Sequence, residues 1–144
     1  MSAVCSFFVP GKPEWLRRHR TTVRNGKPIM FDPPQNREAK RLIQQYARLA
    51  MAGSDWPLDG PLSVSLTFNV FRPKSSKREW PSVKPDIDNY IKLVLDALNG
   101  FVWRDDCQVV KIDATKWYTT NSAGTSVIVK RITENSPSCH AGGS

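Results

Sequence analysis

The stretch from Lys84 to Gln108, KPDIDNYIKLVLDALNGFVWRDDCQ, limits the possible folds more than any other part of the chain. Its apolar residues Ile87, Ile91, Val94, Leu95 and Leu98 recur at the spacing of one face of an α-helix. Both ends are marked. Pro85 blocks extension backwards, because proline disfavours helical backbone in the residue before it. Asp86 has the short acceptor side chain of an N-cap, and Gly100 can take the left-handed backbone that closes a helix. The spacing predicts a helix over residues 87–99. On its polar side Asp88, Lys92 and Asp96 follow one another at four-residue intervals, so Asp86, Asp88 and Lys92 share a small volume near the helix start.

This window holds five of the chain's 13 acidic residues: Asp86, Asp88, Asp96, Asp105 and Asp106. Acids in a first helical turn complement the helix dipole, and an Asp–Lys pair four residues apart is ordinary surface chemistry. The adjacent pair Asp105 and Asp106 asks for more, since neighbouring carboxylates repel and are held by solvent or a cation. The segment that follows, VVKIDATKWY, alternates as a strand does. Asp106 therefore stands where the chain returns from helix to sheet, and that return could close an acidic site.

The runs KPDIDNYIK, DALNG and RDDCQVV together resemble the signature of RusA-type Holliday-junction resolvases. The shared pattern is Asp-x-Asp-Asn, a lysine four residues after the second Asp, Asp-Ala-Leu, and Asp-Asp-x-Gln-Val before a strand. The resemblance implies that Asp86, Asp88 and Asp106 bind metal and that Lys92 is the essential lysine. Asp96, Asn89, Asp105 and Gln108 match the pattern without so clear a role. The close match spans about 25 of the 144 residues. The basic loop before the motif departs from the family in length and composition.

A chain of 144 residues is one domain by size. Its formal net charge of +8 and pI near 9.7 call for a polyanionic partner. Nucleic acid fits better than membrane, because no stretch is apolar and long enough to span or anchor. The start, MSAVCSFFVPGK, lacks the basic and apolar regions of a secretory signal, so a cytoplasmic protein is expected. Cys5, Cys107 and Cys139 are widely spaced and stand apart in sequence from His19 and His140, which argues against zinc and a disulfide framework. P-loop, GxGxxG, GxSxG and HExxH motifs are all absent.

Residues 4–9 read as a strand ending at Pro10. A long basic loop follows, with Arg17, Arg18, Arg20, Arg24 and Lys27 and the hairpin dipeptide Asn25-Gly26. Trp15 in this loop is a base-stacking candidate or, more simply, a core or interface residue. Asn36 is expected to cap a helix through Met51, and Leu62, Val64, Leu66, Phe68 and Val70 alternate along the clearest strand. The loop from Arg72 to Pro85 carries Arg72, Lys74, Lys77, Arg78 and Lys84 straight into the first aspartate. Such cations would offset the repulsion between an acidic site and a phosphodiester, or merely solvate the loop. Arg17, Arg20, Arg72, Lys74, Arg78 and Lys84 are the DNA-binding candidates. After the helix, two antiparallel strands are expected to join through Asn121, Ser122 and Gly124, and residues 134–144 to form a disordered tail.

The order of elements predicts a single α+β (mixed α/β) domain over residues 1–133, with two main helices on a mixed sheet of about four strands. Three aspartates are hard oxygen ligands suited to Mg²⁺ or Mn²⁺, and metal-assisted phosphodiester hydrolysis is the chemistry they serve. Lys92 would stabilise transition-state charge or help activate water. A four-way junction needs two symmetric nicks and one chain holds one acidic cluster, so a homodimer is expected. The rival readings are a branched-DNA-binding dimer without catalysis and a general flap or single-strand nuclease.

Overall fold

Alternation of Leu62, Val64, Leu66 and Phe68 with small polar residues makes their strand the centre of the fold, and all four are buried. A computed structural model describes residues 3–133. They form, in order, β1 (Ala3–Pro10), β2 (Arg20–Arg24), β3 (Lys27–Phe31), α1 (Pro34–Ala50), β4 (Leu62–Phe71), α2 (Ile87–Leu98), β5 (Val109–Thr119) and β6 (Gly124–Arg131). This is the expected α+β domain, with a mixed four-stranded sheet in the order β1-β6-β4-β5 and a separate ribbon of β2 and β3. The expected tail, residues 134–144, lies outside the described residues.

The last two strands are antiparallel and joined through residues 120–123 as expected, but they do not pair. β5 and β6 run in opposite directions but are not neighbours, because β4 lies between them. β4 and β5 are parallel, a pairing that requires a crossover, and α2 supplies it. With β5 on one edge of β4, β6 takes the other edge and pairs antiparallel with both β4 and β1.

α2 keeps the boundaries its sequence marks. Gly100 has φ +73°, the left-handed backbone that only glycine adopts without strain. Its buried face is rotated from the expected one, being formed by Tyr90, Leu93, Val94, Ala97 and Leu98. Tyr90 turns inward because its ring stacks on Phe68 with centroids 4.9 Å apart. Ile87, Ile91 and Leu95 are only half-buried and form a row along the helix flank.

Asn36 is not the cap of α1. Pro33 holds that position and Pro34 opens the helix, where a missing N–H costs nothing. Asn36 is instead fully buried inside the first turn. Its side chain accepts from the Arg17 N–H at 2.9 Å and donates to the Arg17 carbonyl at 2.9 Å and to Asp32 Oδ1 at 2.7 Å. The first basic loop is thereby fastened to the helix. Farther along that loop, Asn25 (φ 52°) and Gly26 (φ 75°) make the two-residue turn between β2 and β3. Every residue of that ribbon is exposed. No helix among the described residues is long and apolar enough to cross a membrane.

Candidate active site

The parallel β4–α2–β5 unit sets the beginning of α2 at the C-terminal ends of its two strands, the usual place for a ligand in such units. Lys116 on β5 fastens this end, its Nζ donating to the carbonyls of Val83 at 2.8 Å and Pro85 at 3.0 Å. Asp86 occupies the N-cap with extended backbone, yet its carboxylate makes no capping bond. It accepts from Lys84 Nζ at 2.9 Å, and that hydrogen bond, with the lysine charge, holds its pKa below the usual carboxylate range. Two residues on, Asp88 lies 3.7 Å from Lys92 Nζ, with both side chains exposed. Asp88 and Lys92 thus pair as their spacing predicts, while Asp86 at the N-cap pairs with Lys84 instead. Beside them opens a cleft of about 580 Å³, lined among others by Lys12, Trp15, Lys84, Asp86, Lys116 and Tyr118.

Asp106 is elsewhere. α2 runs antiparallel to β5, so the start of β5 lies near the end of the helix, about 18 Å from Asp86 at 1.5 Å per helical residue. There the Asp106 carboxylate accepts from the indole Nε1 of buried Trp103 at 2.8 Å. Burial raises its pKa, the Trp103 bond opposes the rise, and nearby Asp96 and Asp105 add to it. Asp105 caps the 3₁₀ turn Asp106–Gln108, accepting from the Cys107 N–H at 3.3 Å. Gln108 completes the capping box and donates to the carbonyls of Leu58 at 2.9 Å and Gly60 at 3.0 Å. The capping of the turn accounts for the acid at Asp105. Among the described residues no three His, Cys, Asp or Glu side chains stand close enough to hold one metal ion. Three aspartates are the right chemistry for Mg²⁺, but one chain does not bring the three together, so the single chain does not fit the expected three-carboxylate centre. Asp106 does not close the site within its own chain.

The basic candidates divide. Arg17 lies over the Trp15 ring at 4.0 Å and pairs with Glu14 at 3.0 Å, so its guanidinium is engaged in the fold and Trp15 is covered rather than bare. Lys84 is paired with Asp86. Arg72, Lys74 and Arg78 are exposed on the loop that follows β4 toward the cleft, and Arg20 is exposed on the β2–β3 ribbon. Sequence reasoning missed Lys12, Lys116 and Tyr118. Lys116 had a signal: it follows Ile112 and Ala114 on the strand face that pairs with the core-facing residues of β4, where a charge is out of place.

The sequence profile of the family described as endodeoxyribonuclease RusA matches residues 10–130. The chain is also 35% identical over 127 residues to the uncharacterized protein YqaN of Bacillus subtilis (strain 168), with 78% of this chain and 87% of the relative covered. The profile match begins at the last residue of β1 and takes in both basic loops, the acidic start of α2 and most of β6. The chain belongs to the RusA endodeoxyribonuclease family.

Proposed function

We propose that the protein is a Holliday-junction resolvase, a homodimer that nicks a four-way DNA junction symmetrically in recombination and repair, with Mg²⁺ as cofactor and Mn²⁺ as substitute. The observation that carries the reading is the position of the family's Asp-x-Asp-Asn…Lys run. Asp86, Asp88 and Lys92 lie along the first two turns of α2, and Asp86 lines a cleft with Lys12, Lys84 and Lys116 on its walls. Those lysines attract the phosphate backbone and offset the repulsion it meets from the aspartates. The exposed Lys92 beside Asp88 supports a role in stabilising charge that develops on a phosphate. Arg72, Lys74 and Arg78 extend the positive surface outward from the cleft.

The test is cleavage of an end-labelled four-way junction, beside flap and linear substrates, by wild type and Asp88→Asn. The expected result is paired nicks in the junction alone, which need a divalent metal and vanish in the variant while gel-shift affinity stays. Equal cutting of all three substrates would remove the resolvase reading. Binding without cutting under Mg²⁺ and Mn²⁺ would leave a branched-DNA-binding dimer.

A further inference from the structure

The cleft beside Asp86 is more apolar than a phosphate backbone requires. Of its fourteen lining residues nine are aromatic, valine or proline, three are lysines and one is an aspartate. The lysines account for attraction of a polyanion, but phosphate oxygens lose hydration against aromatic and proline walls and gain no partner there. Two of the apolar residues also stand open. Phe71, the last residue of β4, is 58% exposed, and Val83, shortly before α2, is 44% exposed. Neither belongs to the hydrophobic core or to the side chains packed on it.

The walls come from three parts of the chain: Trp15 from the first basic loop, Phe71 and Tyr118 from the ends of β4 and β5, and Pro81 and Val83 from the second basic loop. The volume, about 580 Å³, falls within the roughly 300–1,000 Å³ of small-molecule sites. Lys12 and Lys84 are exposed and give the cleft a cationic lip. Apolar walls beneath a cationic lip match a flat aromatic group joined to an anion. Within DNA that group is a nucleobase with its phosphate.

We propose that the cleft takes one unpaired nucleobase of the DNA, received by the apolar walls at Phe71, Val83 and Tyr118. Asp86 lines the same cleft, so the base that enters is a close neighbour along the strand of the phosphate brought to the acidic residues. A base inside a duplex is shut out, because pairing and stacking hold it in the helix. Where the stack is interrupted, as at a branch point, extrusion costs least. Duplex DNA thus gives the cleft nothing to hold, whereas a junction does. The subsite rests on the resolvase reading, for which it supplies the discrimination between branch and duplex.

The test is binding, read by fluorescence anisotropy without divalent metal, of two labelled duplexes that differ only at a single-nucleotide bulge, which carries a thymine in one and is abasic in the other. Both present the same phosphates. Wild type is expected to bind the thymine bulge about tenfold more tightly, within what one stacked base contributes. Phe71→Ser removes an apolar wall and Val83→Trp fills the cleft; each is expected to abolish that preference while affinity for the abasic duplex stays. Both side chains are exposed, so neither change disturbs the core, and a ratio of affinities is insensitive to a misfolded fraction. A wild type that binds the two bulges equally overturns the base subsite and leaves the cleft to a protein segment. Variants that keep the wild-type ratio, whatever their overall affinity, overturn it as well. On the four-way junction, an abasic nucleotide on one side of the mapped nick is expected to slow wild-type cutting about tenfold, and no slowing on either side overturns the subsite. A wild type that cuts no junction counts against the resolvase reading, and the bulge ratio still decides the cleft.

Discussion

Asn36→Ala removes a fully buried amide whose three hydrogen bonds tie the loop at Arg17 to the start of α1. The truncation leaves the Arg17 N–H and carbonyl without those partners, and each buried unsatisfied group costs about 1–3 kcal/mol. Arg17 is not fully buried, so water relieves part of the loss. The expected destabilisation is therefore about 2–4 kcal/mol, a large share of the 5–15 kcal/mol typical of a domain. Urea unfolding followed by tryptophan fluorescence should show a lower midpoint with an unchanged slope. Asn36→Asp separates the roles: it can still accept from the Arg17 N–H but cannot donate to the carbonyl, and it sets a second carboxylate against Asp32. It should be less stable at pH 7 than at pH 4, measured against wild type at each pH. A stability of Asn36→Ala within about 0.5 kcal/mol of wild type would refute the anchoring role, since that is the scale of surface substitutions.

Gln108→Ala deletes the amide that joins the turn before β5 to Leu58 and Gly60; it should cost about 2–3 kcal/mol in the same urea assay, and a cost near zero would show the knot to be ornamental. Lys74→Ala with Arg78→Ala should weaken junction binding and reduce the slope of log affinity against log salt by about two if both meet phosphates, whereas an unchanged slope would make them solvating charges. Asp106→Asn keeps an acceptor for Trp103 and removes an acid whose pKa is raised mainly by burial. A raised pKa means the neutral form suits the fold, so its stabilisation is present at low pH and fades as pH rises through the folded pKa. Without divalent metal, the variant should match wild type in acid and melt higher at pH 7; a lower melting point at pH 7 would reverse the sign of that argument.

Local signals were readable in the chain and long-range ones were not. Pro85, Asp86 and Gly100 marked α2, alternation marked β4, and Asn25-Gly26 marked a turn, because each acts through its own backbone. Asn36 looked like a cap because caps and buried bridges use the same side chain, and only the fold brings Arg17 to it. The face of α2 was rotated because Tyr90, half polar in sequence, has Phe68 to stack on. β5 and β6 are close in sequence, but α2 commits β5 to a parallel place beside β4 and so keeps them apart. The site was legible as a set of residues. A signature records which side chains are present, and it took the opposed directions of α2 and β5 to show that Asp106 lies at the wrong end of its own helix for Asp86.

The pairing of β1 has a consequence for how the protein is made. β1, the first of the described strands, has its only partner in β6, the last of them. β4 likewise waits for β5 and β6 to follow it. While the ribosome is still extending the chain, only the β2–β3 ribbon can complete its pairing from residues close together in sequence. The main sheet closes only once the last strand has emerged, so a chain cut short before Gly124 carries the open edges of β1 and β4 into solution. Translation arrest within this gene would therefore yield aggregating fragments rather than a partial enzyme.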